Sequence, residues 1–161
     1  MTLTIRPAQA GDEAAIWAIL EPVFRAGDTY TIDPDIPRED ALAYWLAPTN
    51  SVFVAEDDEV LGTYYLKQNH GGGGSHICNC GYVTAQAAQG RGVARAMLAH
   101  SLEEARRQGF RAMQYNFVVA TNARAIATWE RAGFDTIGRL PRAFLHPQAG
   151  YVDALVMYRE L

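Results

Sequence analysis

Gln89-Gly90-Arg91-Gly92-Val93-Ala94 separates a run with the character of a strand, Ile77 to Thr84, from a run with helical spacing. In the second run Val93, Ala94, Met97, Leu98, Ser101, Leu102 and Ala105 recur at that spacing, and Gly109 ends it. A strand, a glycine-bearing turn and a helix start make an anion-binding device. Successive N–H groups and the positive end of the helix dipole converge there, and the glycines let the backbone approach an anion closely. Such turns are common, so the rest of the chain must identify the anion.

Upstream, Leu3 and Ile5 alternate with polar residues before Pro7, a short first strand. Asp12 is placed to cap a helix carrying Ile16, Ile19, Leu20, Val23 and Phe24. Gly27 to Pro37 reads as a loop, and a second helix starts near Pro37 and runs through Leu42, Trp45 and Leu46. Ser51 to Glu56 and Glu59 to Lys67 form a hairpin about Asp57 and Asp58. Gly71 to Gly74 has the composition of a linker but joins two strands of one sheet, which makes it a hairpin loop.

Downstream, Arg111 to Val119 is the next strand, so strand, helix and strand imply a parallel pair with a right-handed crossover. Its faces are Met113, Tyr115, Phe117 and Val119 against Ala112, Gln114, Asn116 and Val118. Thr121 or Asn122 caps a further helix, with Ile126 and Trp129, closed by Gly133. Two last strands, Phe134 to Leu140 and Tyr151 to Arg159, flank a loop with Pro141, His146, Pro147 and Gly150. The fold class is α/β, one domain over residues 1–161, with a mixed sheet of about seven strands.

The chain has 161 residues and a formal charge of −4. Length supports a core without disulfides or metal. The charge excludes a general electrostatic footprint for nucleic acid and fits, weakly, cationic small-molecule partners. No run is long enough for a membrane span, and the N-terminus lacks a signal-peptide pattern. A cytoplasmic protein with no membrane partner is expected. Cys78 and Cys80 share one strand face, where a disulfide would be strained. Only His76 is near enough to join them in a metal site, so no metal is expected and buried small hydrophobes is the simpler reading.

Three amides interrupt strands that should be dry: Asn79, Gln114 and Asn116. Either neighbouring backbone satisfies them where two strands splay apart, or they line a ligand site at the C-terminal ends of the parallel strands. Asn122 is most simply a helix cap.

The arrangement resembles the GNAT superfamily of acetyl-CoA-dependent N-acetyltransferases. Its signature Gln/Arg-x-x-Gly-x-Gly/Ala is met by Gln89, Gly92 and Ala94, and Asn122 through Trp129 to Gly133-Phe134 is similar to its second motif. The resemblance implies a mostly antiparallel sheet with a parallel pair splayed at the centre and about four helices. It implies acetyl-CoA as co-substrate, with its pyrophosphate cradled by Gln89, Gly90, Arg91, Gly92, Val93, Ala94 and Arg95. The pantetheine arm would pair with the strand edge at Tyr82, Val83 and Thr84, and Asn122 and Trp129 would also face the cofactor. Arg91 reads equally as a solvated surface residue. A narrower resemblance, through Ser75 to Tyr82 and Asn116 to Asn122, is to fungal acetyltransferases of azetidine-2-carboxylate and related proline analogues. It implies that Asn79 and Asn116 orient a small amino acid. Members of the superfamily are often dimers, so a homodimer is the expected assembly.

The expected reaction is attack of a neutral small-molecule amine on the thioester, with a strand-edge N–H near Val83 stabilising the oxyanion. Many relatives carry a tyrosine acid where this chain has Trp129, whose indole N–H is no usable acid. No glutamate shares the strand of Asn79; water chains, Tyr30 and His146 remain as candidates for the base. The competing class is a non-catalytic acyl-CoA-binding domain. A P-loop or dinucleotide fold lacks its lysine or glycine motif.

Overall fold

The computed structural model describes residues 2–161. In chain order it has β1 (Thr4–Pro7), α1 (Glu13–Ala26), α2 (Arg38–Trp45), β2 (Ser51–Asp57), β3 (Glu59–Gln68), β4 (Ile77–Thr84), α3 (Val93–Arg107), β5 (Ala112–Val119), α4 (Ala123–Arg131), β6 (Asp135–His146) and β7 (Gly150–Glu160). The strands form one sheet in the order β1-β2-β3-β4-β5-β7-β6. Every pairing is antiparallel except β4 with β5. The expected class, seven strands, parallel pair and four helices are all present.

Apolar burial divides between the two faces of the sheet. On one, Val93, Met97, Leu98, Leu102 and Ala105 of α3 pack against Tyr64, Leu66, Cys78, Cys80 and Met113. On the other, Ile16, Leu20 and Phe24 of α1 and Trp45 of α2 cover Val54, Tyr65 and Val83. Both cysteines are buried and unbridged, as small core hydrophobes. The central strands β3 and β4 are thus covered on both faces, which is why their sequences lack clean alternation.

Three local expectations change. Asp12 precedes α1 without capping it; its carboxylate instead accepts the Gln9 N–H (2.7 Å) and pairs with Arg6, which also holds Glu56. That pairing keeps the Asp12 and Glu56 carboxyls below their ordinary range and ties β1 to β2. The alternation of β5 breaks at a register shift between Tyr115 and Val118. Val118 therefore joins Met113 and Tyr115 in the core under α3, while Phe117 turns to Phe144, because a bulge resets the period-two pattern. Finally, the loop expected after Leu140 is strand. A bulge takes up Pro141, Arg142 adopts φ 50°, and Asp153 accepts both the Arg142 N–H and the Arg139 guanidinium at 2.8 Å. Only a tight turn between His146 and Gly150 remains; His146 Nδ1 accepts the N–H groups of Gln148 and Ala149 at 3.1 Å.

β4 and β5 are paired only at Ile77 with Ala112 and Cys78 with Met113. Beyond that point they part, and a cleft of about 980 Å³ opens between them. One glycine positions this cleft. A Cβ at Gly81 would lie 2.6–3.0 Å from the Tyr65 ring, which rests across the strand. Gly81→Ala should force that ring away and cost about 1–3 kcal/mol in urea unfolding; a loss below 0.5 kcal/mol, at about the noise of such a measurement, would show that Tyr65 relaxes freely.

Candidate active site

The floor of the cleft is the inner edge of β4. The bonds Asn69 N–H to Ile77 O (2.9 Å) and Ala85 N–H to Leu61 O (2.7 Å) fix the register with β3. Odd-numbered residues of β4 therefore direct N–H and C=O to β3, and even-numbered ones direct theirs to the cleft. The Tyr30 hydroxyl confirms the parity by donating to Tyr82 O at 2.9 Å. Consequently Tyr82 and Thr84 present a strand edge to the cleft, whereas the amide of Val83 lies in the β3 ladder. Val83 is brought to the site but not as a strand-edge donor, because antiparallel pairing already uses its backbone.

At one end the cleft meets the glycine turn. Gly90 and Gly92 both have φ 80°, and a Cβ at either would meet nothing within 4 Å. The N–H groups of Gly92, Val93, Ala94 and Arg95 precede the first bond of α3, Ala96 N–H to Gly92 O, and no side chain caps that end. Left-handed glycines, an uncapped helix start and open space give an anion cradle. Gln89 and Arg95 line the same cleft, and Arg91 does not. Opposite, the Asn122 side chain accepts the Ala125 N–H at 3.4 Å, as a cap of α4, while also lining the cleft. These residues fit a phosphate-bearing group in the way the resemblance implies for coenzyme A.

The amides of the other half form one network. Asn79 is buried, and its Nδ2 donates to Gln114 O at 2.9 Å, across the gap where the ladder has stopped. Asn116 exchanges hydrogen bonds with Asn69 (2.7 and 3.1 Å) and accepts from Gln114 Nε2 (2.9 Å). Thus Asn79 ties the split strands together while lining the cleft, and Asn116 is held at its exposed rim. Sequence reading did not single out Asn69, nor Lys67, Tyr44 and Tyr65, which share this half of the cleft. Lys67 and Tyr65 were legible as one face of β3; what hid them was a strand with no polar alternation.

Trp129 lies 4.9 Å from Tyr115 and 5.3 Å from Tyr82, ring to ring. The two tyrosines do not supply the missing acid. Ser101 Oγ donates to Leu98 O, so Tyr82 donates to Ser101 (2.7 Å) and Tyr115 to Tyr82 (3.0 Å). All the hydroxyl protons run inwards, and burial pushes both phenols well up. Tyr30 spends its proton on Tyr82 O, and burial raises its phenol too. His146 Nδ1 is occupied by its turn, so the proton sits on Nε2; the ring lines a separate hollow of about 120 Å³ with Asp28 and Thr29. Among the described residues lining the main cleft there is neither carboxylate nor histidine.

A split parallel pair with an anion cradle at its mouth defines a class of acyl-transferring enzymes. The chain belongs to the acetyltransferase (GNAT) family, whose pattern it matches over residues 14–134. It is 31% identical to the N-acetyltransferase aca1 of Schizosaccharomyces pombe over 148 residues, 81% of this chain and 71% of that protein. The structure is similar to a GCN5-related N-acetyltransferase from Kribbella flavida, with 40% identity, a TM-score of 0.94 and coverage of 99% and 98% of the two chains. It also shares its fold with yncA from Salmonella typhimurium, solved with its cofactor acetyl-CoA, at 24% identity and a TM-score of 0.88 over 100% and 95% of the chains.

The cradle gives a direct prediction. Gly92→Val places a branched side chain in the open space over the turn and at an unfavourable φ, which alone costs about 1–2 kcal/mol of stability. Coenzyme A affinity should fall more than about tenfold by titration calorimetry, because a backbone-approach site tolerates no Cβ; unchanged affinity would remove the assignment.

Proposed function

We propose that the chain transfers acetyl from acetyl-CoA to the amine of a small molecule, in the narrower reading an amino acid or cyclic imino acid. The observation that carries this is the juxtaposition of the glycine cradle and the amide network at opposite ends of one split strand pair. When bound, acetyl-CoA supplies the acyl carbon: the C–N bond forms, the C–S bond breaks, and the amine proton leaves so that the products are an amide and a free thiol. Family membership and the acetyl-CoA bound by yncA support the co-substrate. The resemblance to proline-analogue acetyltransferases supports the narrower acceptor, and a fungal N-acetyltransferase among the relatives is consistent with it.

The chain's own part is positioning and polarisation. The cradle of Gly90 to Arg95 holds phosphate, and the edge of Tyr82 and Thr84 aligns an extended arm as an added strand would. Tyr82 N–H, with the parity that Val83 lacks, is the donor for the developing oxyanion. Asn79 orients the acceptor with the half of its amide that Gln114 O leaves unused. Holding both reactants in line supplies up to roughly 7–11 kcal/mol.

With neither carboxylate nor histidine among the described residues that line the cleft, the amine arrives neutral or loses its proton to water. The test is thiol release from acetyl-CoA across an amine panel. log(kcat/KM) should rise with a slope of about 1 up to each amine's own pKa and show no inflection common to all amines. A shared acidic limb would reveal an enzymic base. Tight coenzyme A binding with no turnover of any amine would favour a binding domain.

Asn79→Ala removes both an orienting group and the tie to Gln114. It should lower kcat by about tenfold or more while the dissociation constant of coenzyme A stays close to that of the wild type. Loss of the folded state on circular dichroism instead would assign Asn79 a structural role alone.

A further inference from the structure

The charge of the cleft runs against that of the chain. Acidic residues outnumber basic ones, 18 to 14, yet among the described residues no Asp or Glu lines the cleft, while Lys67, Arg95, Arg124, Arg131 and Arg159 do. The acids that make the chain negative therefore lie away from the cleft. Arg95 lies in the first turn of α3, and Arg124 and Arg131 belong to α4. Arg159 donates to Ala132 O, which ties it to the end of α4. Lys67 is the cation that remains for the other half.

Lys67 stands on β3 directly opposite Asn79. Cross-strand partners share a face, so its side chain rises on the side of the sheet where Asn79 and Tyr65 lie. The ammonium sits 5.6 Å from the centroid of the Tyr65 ring, and among the described residues it makes no ion pair. Around it several hydrogen-bond donors are left unused, beside the acceptor Asn79 Oδ1. Asn69, Asn79 and Asn116 each spend one amide hydrogen on a protein acceptor and keep a second. The hydroxyls of Tyr44 and Tyr65 are 3.4 Å apart, so one of their two protons is left for a ligand. A half-buried cation in a cleft that also holds unused donors is complementary to an acceptor-rich anion.

Resting on the acetyl-transfer reading above, we propose that Lys67 is the counter-ion for a carboxylate carried by the acceptor amine. The substrate class is then amino or imino acids with a free carboxylate. Polyamines, which bring only positive charge into a cleft without an acid, are excluded by repulsion. Lys67 selects the substrate and takes no part in moving the acyl group.

The test compares an imino or amino acid with its own carboxamide, and with a polyamine, by thiol release from acetyl-CoA. The wild-type enzyme should favour the acid over the carboxamide by about tenfold to a hundredfold in kcat/KM, the range of a charge-assisted contact. Lys67→Met should collapse that ratio towards one through the KM of the acid, and Lys67→Arg should retain most of it. The KM for acetyl-CoA and the melting temperature report separately on the cradle and the fold. Equal use of acid and carboxamide by the wild type, preference for the polyamine, or a ratio that survives Lys67→Met would each overturn the role of Lys67. Absence of turnover with every amine would overturn the acetyl-transfer reading, and this inference with it.

Discussion

β4 and β5 run together for two residue pairs and then separate, and the site follows from that parting. Each residue of β4 beyond Cys78 whose backbone points away from β3 has lost its sheet partner. Buried N–H and C=O groups do not remain unpaired without cost, so the chain must answer each one. Tyr30 answers the Tyr82 carbonyl from the loop between α1 and α2, and the Asn79 side chain answers the Gln114 carbonyl across the gap. Among the groups these leave are the N–H groups of Tyr82 and Thr84, an extended edge to which a ligand can add as a strand does. The fold makes a binding site by withholding pairing.

The same constraint gives the amides a structural task and leaves some of their atoms facing the cleft. An amide in place of a ladder bond holds the strands at a fixed separation and still has a donor and an acceptor to offer. Asn79 uses one hydrogen for the sheet. Asn116 is committed further, with its oxygen shared between Asn69 and Gln114, so it fixes the rim more than it offers bonds of its own. Backbone satisfaction and a place lining the cleft, the two readings open at the level of sequence, use different atoms of one side chain and do not exclude each other.

Much of this was legible in the chain. Ile77 to Thr84 emerged with the observed bounds, and the helix after the glycine turn could be read because Val93, Met97, Leu98, Leu102 and Ala105 keep one period through to Gly109. What escaped depends on non-local geometry. The bulge in β5 exchanges Phe117 and Val118 between faces, and it is imposed by pairing with β7. The Asp153 carboxylate that stabilises the bulge at Pro141 comes from another strand. The parity that turns Tyr82, and not Val83, to the cleft is set by register with β3, which no local pattern encodes. Lys67 is only the last residue of the run from Glu59 in the sequence, and the register alone sets it opposite Asn79.

The proton inventory argues for a site that works by placement. A phenol that donated to the cleft could protonate a departing thiolate, but the order Tyr115 to Tyr82 to Ser101 to Leu98 O turns every hydroxyl proton into the core. That direction follows from the Ser101 hydroxyl giving its one proton to Leu98 O, which can only accept. Trp129 seals the near end by covering both rings. The hydroxyl chain therefore braces α3 against the two central strands at the level where they begin to part. It holds the Tyr82 N–H still, and a fixed dipole that need not reorganise is what stabilises charge at an oxyanion. The tryptophan that removes an acid from the site belongs to the packing that makes the remaining donor rigid.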